Sequence, residues 1–444
     1  MWKRFAAACV LASCSANGAG SAGIPAALSD AGFAGHSPIK HVIFVIQENR
    51  SFNNLFMGYP GATTRRYGYD TSGRRIAMQP VDLEIGWDMQ HNAAGFFAAC
   101  DGTGKLPGTH CKMDGWNNEL ATIGHPPNPA YSYVPQSETK PYWMIAKQYV
   151  LADRTFATNL DGSFVAHQYS VAAYSSRAVN YPVSIWGCEG GSSDTVATLT
   201  EHRGAGPNIV ACFDNPTIAS EADHAGISWR YYTGSIYGDG GLWSAYQADR
   251  KIFDSPDWKA KVINPPSQFL ADVGAGKLAA ITWVAPTYEA SDHAALDTGK
   301  GPAWIASVVN AVGKSRFWDS SAIFIMWDDW GGWFDPMKPV YADYDGLGFR
   351  VPLLAVSPYA KQGYVTHVQY ETASVLRFIE DNFGLSHLAA SDTRANDPAT
   401  DAFDYNQRPR KFKEIPGAKT ASYWRRIEQA SHGGRIPHGI LGDD

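Results

Sequence analysis

Six short apolar runs punctuate the chain, at 41–46, 149–152, 227–232, 279–285, 323–327 and 351–357. Runs of this length without strict alternation are the pattern of strands buried on both faces of a sheet. Two stretches between or after them carry helical phase instead. Pro302 opens one, with Ile305, Val308 and Val309 on a single stripe; 371–383 forms the other, with Val375, Leu376 and Ile379 inward and Gly384 as its stop. Strands alternating with helices predict one large α/β domain around a mostly parallel sheet, spanning 37–444. Residues 54–145 break the pattern, with Gly, Pro, Tyr and Trp but few periods, and read as an irregular insertion around a site mouth. The Ser-, Ala- and Gly-rich segment 15–36 reads as a flexible tether.

Two of the runs end in chemistry. Residues 323–327 lead into Asp328, Asp329, Trp330, Gly331 and Gly332, and 41–46 lead into Gln47, Glu48, Asn49, Arg50, Ser51 and Phe52. A buried strand has no use for adjacent acids at its carboxyl end unless a cation meets them there, and ligands collect at that edge. A lone Asp-Asp pair also suits a solvated turn or a helix cap; a second strand end of the same design favours a divalent metal held by oxygen ligands. Further oxygen clusters follow at 161–163 and 289–293. Ser163 comes directly after Gly162, where the backbone can turn and present the hydroxyl as a nucleophile; a helix cap is the alternative. A metal beside that hydroxyl would favour the alkoxide and neutralise an incoming phosphoryl oxygen. His293 shares its loop with Glu289 and Asp292 and is the leading acid, base or phosphate-contacting histidine, with His91 of the insertion as the second. His224 and His367 are assigned to surface or packing.

Composition narrows the partners. The chain has 444 residues, 45% of them hydrophobic, and a formal net charge of -6. With no basic block it lacks the cationic face that nucleic acid requires, and small substrates fit better. Met1-Trp2-Lys3-Arg4 followed by the apolar stretch 5–12 has the form of an export signal, too short to span a bilayer. Leu11-Ala12-Ser13-Cys14 resembles a bacterial lipoprotein box, in which a lipidated Cys14 would anchor the protein to a membrane; an ordinary signal cleaved near Ala19 or Ala22 is the alternative. The expected location is therefore periplasmic, secreted or lipid-anchored to the outer cell envelope. Beyond the signal lie Cys100, Cys111, Cys188 and Cys212, an even number suited to an oxidising compartment. Two local bridges, Cys100 to Cys111 and Cys188 to Cys212, are the preferred pairing of the three connectivities four cysteines allow.

The motif 47–52, the segment 328–335 (Asp-Asp-Trp-Gly-Gly-Trp-Phe-Asp) and the stretch from Gly348-Phe349-Arg350-Val351-Pro352 to Ser357-Pro358 occur in one order. Together they resemble the bacterial phosphoesterase family that includes non-haemolytic phospholipases C and a respiratory-burst-inhibiting acid phosphatase. The likeness is collinear from Ile39 to the neighbourhood of Phe412. It implies an alkaline-phosphatase-like α/β fold, a three-layer sandwich with a mostly parallel central sheet, a Ser or Thr nucleophile, a phospho-enzyme intermediate and a divalent metal. Position by position it puts Glu48 and Asn49 on the first metal-binding pair, Ser163 on the nucleophile and metal-adjacent hydroxyl, and Asp328 and Asp329 on the late acidic pair. His293 falls on the histidine that contacts phosphate or serves the leaving group. His91, ahead of Met113-Asp114-Gly115-Trp116, falls on the early histidine.

The chain departs from the family at Asn53, commonly Asp, and at Pro336, commonly His. The expected function is an exported, metal-dependent phosphoesterase acting on a phosphate ester or phospholipid, with a phosphodiester of phospholipase C type as the leading substrate. An acid phosphatase acting on monoesters, or an exported binding protein that kept the fold and lost the chemistry, are the other readings. A sulfatase is disfavoured because Ser163-Phe164-Val165-Ala166-His167 lacks the Pro and Arg of that signature.

Overall fold

Strand β1 (His41–Gln47) is buried at every position but its first, as a run of Val, Ile and Phe with no polar alternation requires. It has a parallel neighbour on each side, and the computed structural model describes residues 37–430 except 185, 236, 238–242 and 296–298. The export-signal, tether and Cys14 lipoprotein readings lie outside the described residues. The other strands of the central sheet are β2 (Val150–Ala152), β3 (Trp229–Tyr232), β4 (Val262–Ile263), β5 (Ile281–Val284), β6 (Ser321–Trp327), β7 (Leu353–Val356) and β8 (Tyr364–Thr366). Their order across the sheet is β4-β3-β5-β1-β6-β7-β2-β8. All neighbours run parallel except β7, which is antiparallel to both β6 and β2. No helix lies between β6 and β7, so the chain returns without the helical crossover that a parallel pair demands.

Helices cover both faces. Phe324 and Trp327 are three residues apart on β6 and so point to opposite sides. Phe324 meets Phe378 of the helix Thr372–Phe383 at 4.8 Å between ring centres, and Trp327 meets Tyr142 of the helix Lys140–Gln148 at 5.0 Å. In chain order these helices and their partners are α1 (Lys140–Gln148), α2 (Ser163–Ala172), α3 (Gln268–Gly274), α4 (Gly301–Gly313) and α5 (Thr372–Phe383). α1 and α3 pack on α4 in one layer, and α2 packs on α5 in the other. The result is the expected three-layer α/β sandwich. α5 begins at a capping box between Glu371 and Ser374 and ends at Gly384 in the left-handed conformation, φ 67°. No helix among the described residues is long and apolar enough to cross a membrane.

The stretch between β1 and β2 carries a core of its own. Trp87, Met89, Phe96, Trp116 and Tyr131 pack against Trp330, Trp333, Phe334 and Phe349, so the aromatic residues beyond the Asp-Asp pair hold this stretch against the sheet edge. The Cys100–Cys111 bridge closes it, and Cys188–Cys212 closes a second loop.

Candidate active site

Parallel pairing in register sets the site. Gln47 at the end of β1 lies opposite Trp327 at the end of β6, and the Asp328 amide donates to the Gln47 carbonyl at 3.0 Å. Glu48 and Asp328 therefore leave the sheet at the same level. Asn49 follows in the left-handed conformation, φ 57°, which asparagine tolerates better than most residues, and its backbone N–H donates to Asp328 Oδ1 at 3.0 Å. Gly331 and Gly332 let the second motif close over it. Both have positive φ, and a Cβ on Gly331 would stand 2.0 Å from the Asn49 carbonyl oxygen. Asp329 closes this turn, accepting from the Gly331 N–H at 2.7 Å.

The Asn49 amide is the hub. One end lies 3.0 Å from Glu48 Oε2, 3.1 Å from Asp328 Oδ1 and 3.3 Å from Ser163 Oγ. The other lies 2.5 Å from His91 Nε2 and 3.2 Å from His293 Nε2. The protein alone favours the amide nitrogen toward the carboxylates, which only accept. A cation among those oxygens favours the reverse, with Asn49 Oδ1 joining the ligands and Nδ2 donating to His91 Nε2. That second arrangement also suits His91, whose Nδ1 lies 2.7 Å from the Met89 carbonyl and would carry the ring proton. Asp328 Oδ2 is buried without a hydrogen-bond partner. Buried carboxylates that converge in this way need a compensating positive charge, and a divalent ion fits the donor set.

Ser163 is the first residue of α2, with Gly162 as the N-cap, so it is not the capping serine of the alternative reading; its hydroxyl faces Asn49 instead. Asp161 organises the turn before it. It accepts from the Gly162 N–H at 2.8 Å, the Ala93 N–H at 3.2 Å and the Asn180 N–H at 2.9 Å. Burial raises its pKa to about 6 against those three donors. One turn along α2, His167 places Nε2 2.9 Å from Glu48 Oε1. Ligand atoms of Glu48, His167 and Asp328 all lie within 4.8 Å of one another. The sequence reading gave His167 no role. The signal was its spacing of four from Ser163, which becomes informative only once a helix is known to start at that serine.

His293 is packed among rings: Tyr288 at 5.5 Å, His91 at 5.7 Å and Trp243 at 5.9 Å between centres. Its neighbour Asp292 turns away, accepting from the Tyr142 hydroxyl at 2.7 Å and Trp327 Nε1 at 3.0 Å, with burial raising its pKa to about 6. His224 is exposed, and His367 pairs with Asp153 at 2.7 Å.

The two departures from the family pattern fall in a separate cluster. Asp335 forms a fully buried ion pair with Arg350 and also accepts from the Asn53 N–H at 3.1 Å. The Asn53 side chain accepts from the Arg65 N–H and donates to the Arg65 carbonyl, at 2.9 and 3.0 Å, a pair of bonds an ionised carboxylate cannot make. Past Pro336, Met337 Sδ lies 3.0 Å from Arg350 Nη1. These residues support the Arg350 ion pair rather than the group around Asn49.

The chain is 24% identical to "Phospholipase C A" of Mycobacterium tuberculosis over 406 residues, covering 79% of this chain and 74% of that one. It is 24% identical to "Non-hemolytic phospholipase C" of Pseudomonas aeruginosa over 440 residues, covering 86% of this chain and 60% of that one. A crystal structure of a protein in the alkaline phosphatase superfamily from Vibrio parahaemolyticus matches with a TM-score of 0.36 and 10% identity, covering 79% of this chain and 67% of that one. The model of the Phosphoesterase family matches residues 39–386, a span that contains every residue assembled around Asn49. With most of its length matched in this way, the chain belongs to the Phosphoesterase family and is a hydrolase of phosphoric esters.

Proposed function

We propose that this protein is an exported, metal-dependent phosphoesterase of phospholipase C type that works through Ser163. The observation that carries this reading is the convergence of Glu48, Asp328 and Ser163 oxygens on one end of the Asn49 amide. Glu48, Asn49, Ser163, Asp328 and Asp329 are the residues that would hold a divalent ion. When bound, that ion supplies positive charge that favours the serine alkoxide and the developing charge on phosphorus-bound oxygens.

Ser163 gives up its hydroxyl proton to water, Oγ attacks phosphorus, the new P–O bond forms and the bond to the alcohol breaks. Its place at the first turn of α2 adds the favourable field of a helix N-terminus for an anionic phosphoryl group. His293, on the far side of the Asn49 amide, contacts the phosphoryl oxygens or gives a proton to the departing alcohol, and His91 serves the chemistry by accepting from Asn49 Nδ2 and so turning Oδ1 toward the ion. Water then attacks the phosphoryl-serine, and Ser163 regains its proton as the phosphate product leaves.

The names of the relatives favour a phosphodiester over a monoester. The test is turnover of nitrophenyl phosphorylcholine and nitrophenyl phosphate by wild type and Ser163→Ala. Wild type is expected to prefer the diester, and the variant to lose turnover of both while melting at a similar temperature. A wild-type preference for the monoester would establish the acid phosphatase reading, and unchanged turnover in the variant would remove Ser163 from the chemistry. Wild-type protein that turns over neither and binds no divalent ion would be the impaired binding protein.

A further inference from the structure

We infer that His167 is itself a ligand of the divalent ion, and that its imidazole nitrogen tilts the site toward borderline first-row ions such as Zn2+ and Co2+ over Ca2+ and Mg2+. The inference rests on the metal-dependent reading above and adds a residue and a selectivity that the sequence motifs do not carry.

Glu48, Asn49, Ser163, Asp328 and Asp329 offer oxygen alone, a donor set suited to hard ions. His167 changes its character. Its Nε2 lies 2.9 Å from Glu48 Oε1, with both side chains inaccessible to solvent. Two ligands bound about 2.1 Å from one ion sit roughly 3.0–3.5 Å apart, so only a slight opening of this hydrogen-bonded pair would turn both atoms into ligands of one ion. Asp328 completes the group within 4.8 Å, and its Oδ2 is buried with no hydrogen-bond partner. The ring is carried by α2 one turn beyond Ser163, so the helix that presents the nucleophile also presents the nitrogen. Imidazole suits later first-row ions such as Zn2+ and Co2+, whereas Ca2+, Mg2+ and Mn2+ favour oxygen.

The competing role is positioning, with His167 donating Nε2–H to Glu48 and leaving the ion to oxygens. Glutamine separates the two. His167→Gln can still donate an amide N–H to Glu48 but is a poor substitute for imidazole nitrogen. The experiment strips the full-length protein of metal, confirms its fold by circular dichroism, and measures dissociation constants for Zn2+, Co2+, Mg2+ and Ca2+ by competition with a chelating dye. Wild type is expected to bind one equivalent of Zn2+ or Co2+ more tightly than Mg2+ or Ca2+. H167Q is expected to lose about 100-fold or more for Zn2+ and Co2+, above the ordinary effect of an outer-shell residue, with Mg2+ and Ca2+ changed only a few-fold.

A parallel loss for all four ions, or no loss, would make His167 a positioning residue and overturn the inference. Wild-type protein that holds no divalent ion would instead overturn the metal-dependent reading on which it rests. Should H167Q not fold, Cu2+ bound to the His91→Gln/His293→Gln protein provides the second measurement. Imidazole nitrogen modulation in the electron spin echo of the one Cu2+ that stoichiometric Zn2+ displaces supports ligation by His167, and absence of modulation from that ion overturns it.

Discussion

At the scale of single residues, the site is set by close approach around Asn49. Gly331 must pass the Asn49 carbonyl with no side chain, since a Cβ there would stand 2.0 Å from the oxygen on a backbone with φ 60°. Gly331→Ala is therefore expected to push Asn49 from its place and lower kcat about 100-fold, the usual cost of an ångström-scale misplacement at a reacting centre. Steady-state kinetics on correctly folded variant would check it, and wild-type kcat would contradict the packing argument. Glu48, Asn49, Ser163 and Asp328 were legible in the sequence because each follows a recognisable break, an apolar run or a glycine. His167 was not, because a lone histidine inside a helix has no pattern until the helix phase is known. Asn53 and Pro336 read as departures from a family motif. Their neighbours show why they need not reach the site: Asn53 clasps the Arg65 backbone, and Asp335 is held by Arg350.

At the scale of elements, the six inner strands were legible because buried strands are written as uninterrupted apolar runs, whereas the edge strands β4 and β8, short and only partly buried, were not. The reversed direction of β7 was not, since direction depends on the path of the connection and leaves no trace in the strand itself. Nor was the aromatic core that joins Trp87, Phe96 and Trp116 to Trp330, Trp333 and Phe349, because its members come from segments with no common period. Helix α5 carries an element-level prediction of its own. Glu380 lies on it, buried, and burial together with Asp392 and Asp381 raises its pKa to about 10, with Arg377 opposing. His387 Nε2 is 4.0 Å from it. The folded state therefore keeps a proton that the unfolded chain releases above its ordinary carboxyl range. The stability tied to Glu380 is full below that range and falls as pH rises toward 10. Glu380→Gln is expected to match wild type in thermal melts near pH 4 and to melt a few degrees higher at pH 8. Equal melting temperatures across that range would show that Glu380 is not held neutral.

At the scale of the whole molecule, the site joins β1, β6 and α2 with His91 from the stretch before β2 and His293 from the loop after β5. An ion bound there ties segments remote in sequence and should stabilise the fold as well as serve the chemistry. At 100 times its dissociation constant it would add about 2.7 kcal/mol. Thermal melts of metal-stripped protein titrated with Zn2+, Co2+, Mg2+ or Ca2+ are expected to rise with concentration for at least one ion and to return on adding chelator. Melts indifferent to all four would contradict the proposed metal centre. The central claim, that Ser163 becomes the phosphoryl acceptor, is tested most directly by acid-quenching the enzyme during turnover of a phosphorylcholine ester and locating the adduct by peptide mass spectrometry. The account expects phosphorylcholine on Ser163 of the quenched wild-type enzyme and none on the His293→Ala, Ser163→Ala double variant; an unmodified Ser163 with the adduct on another residue would contradict it.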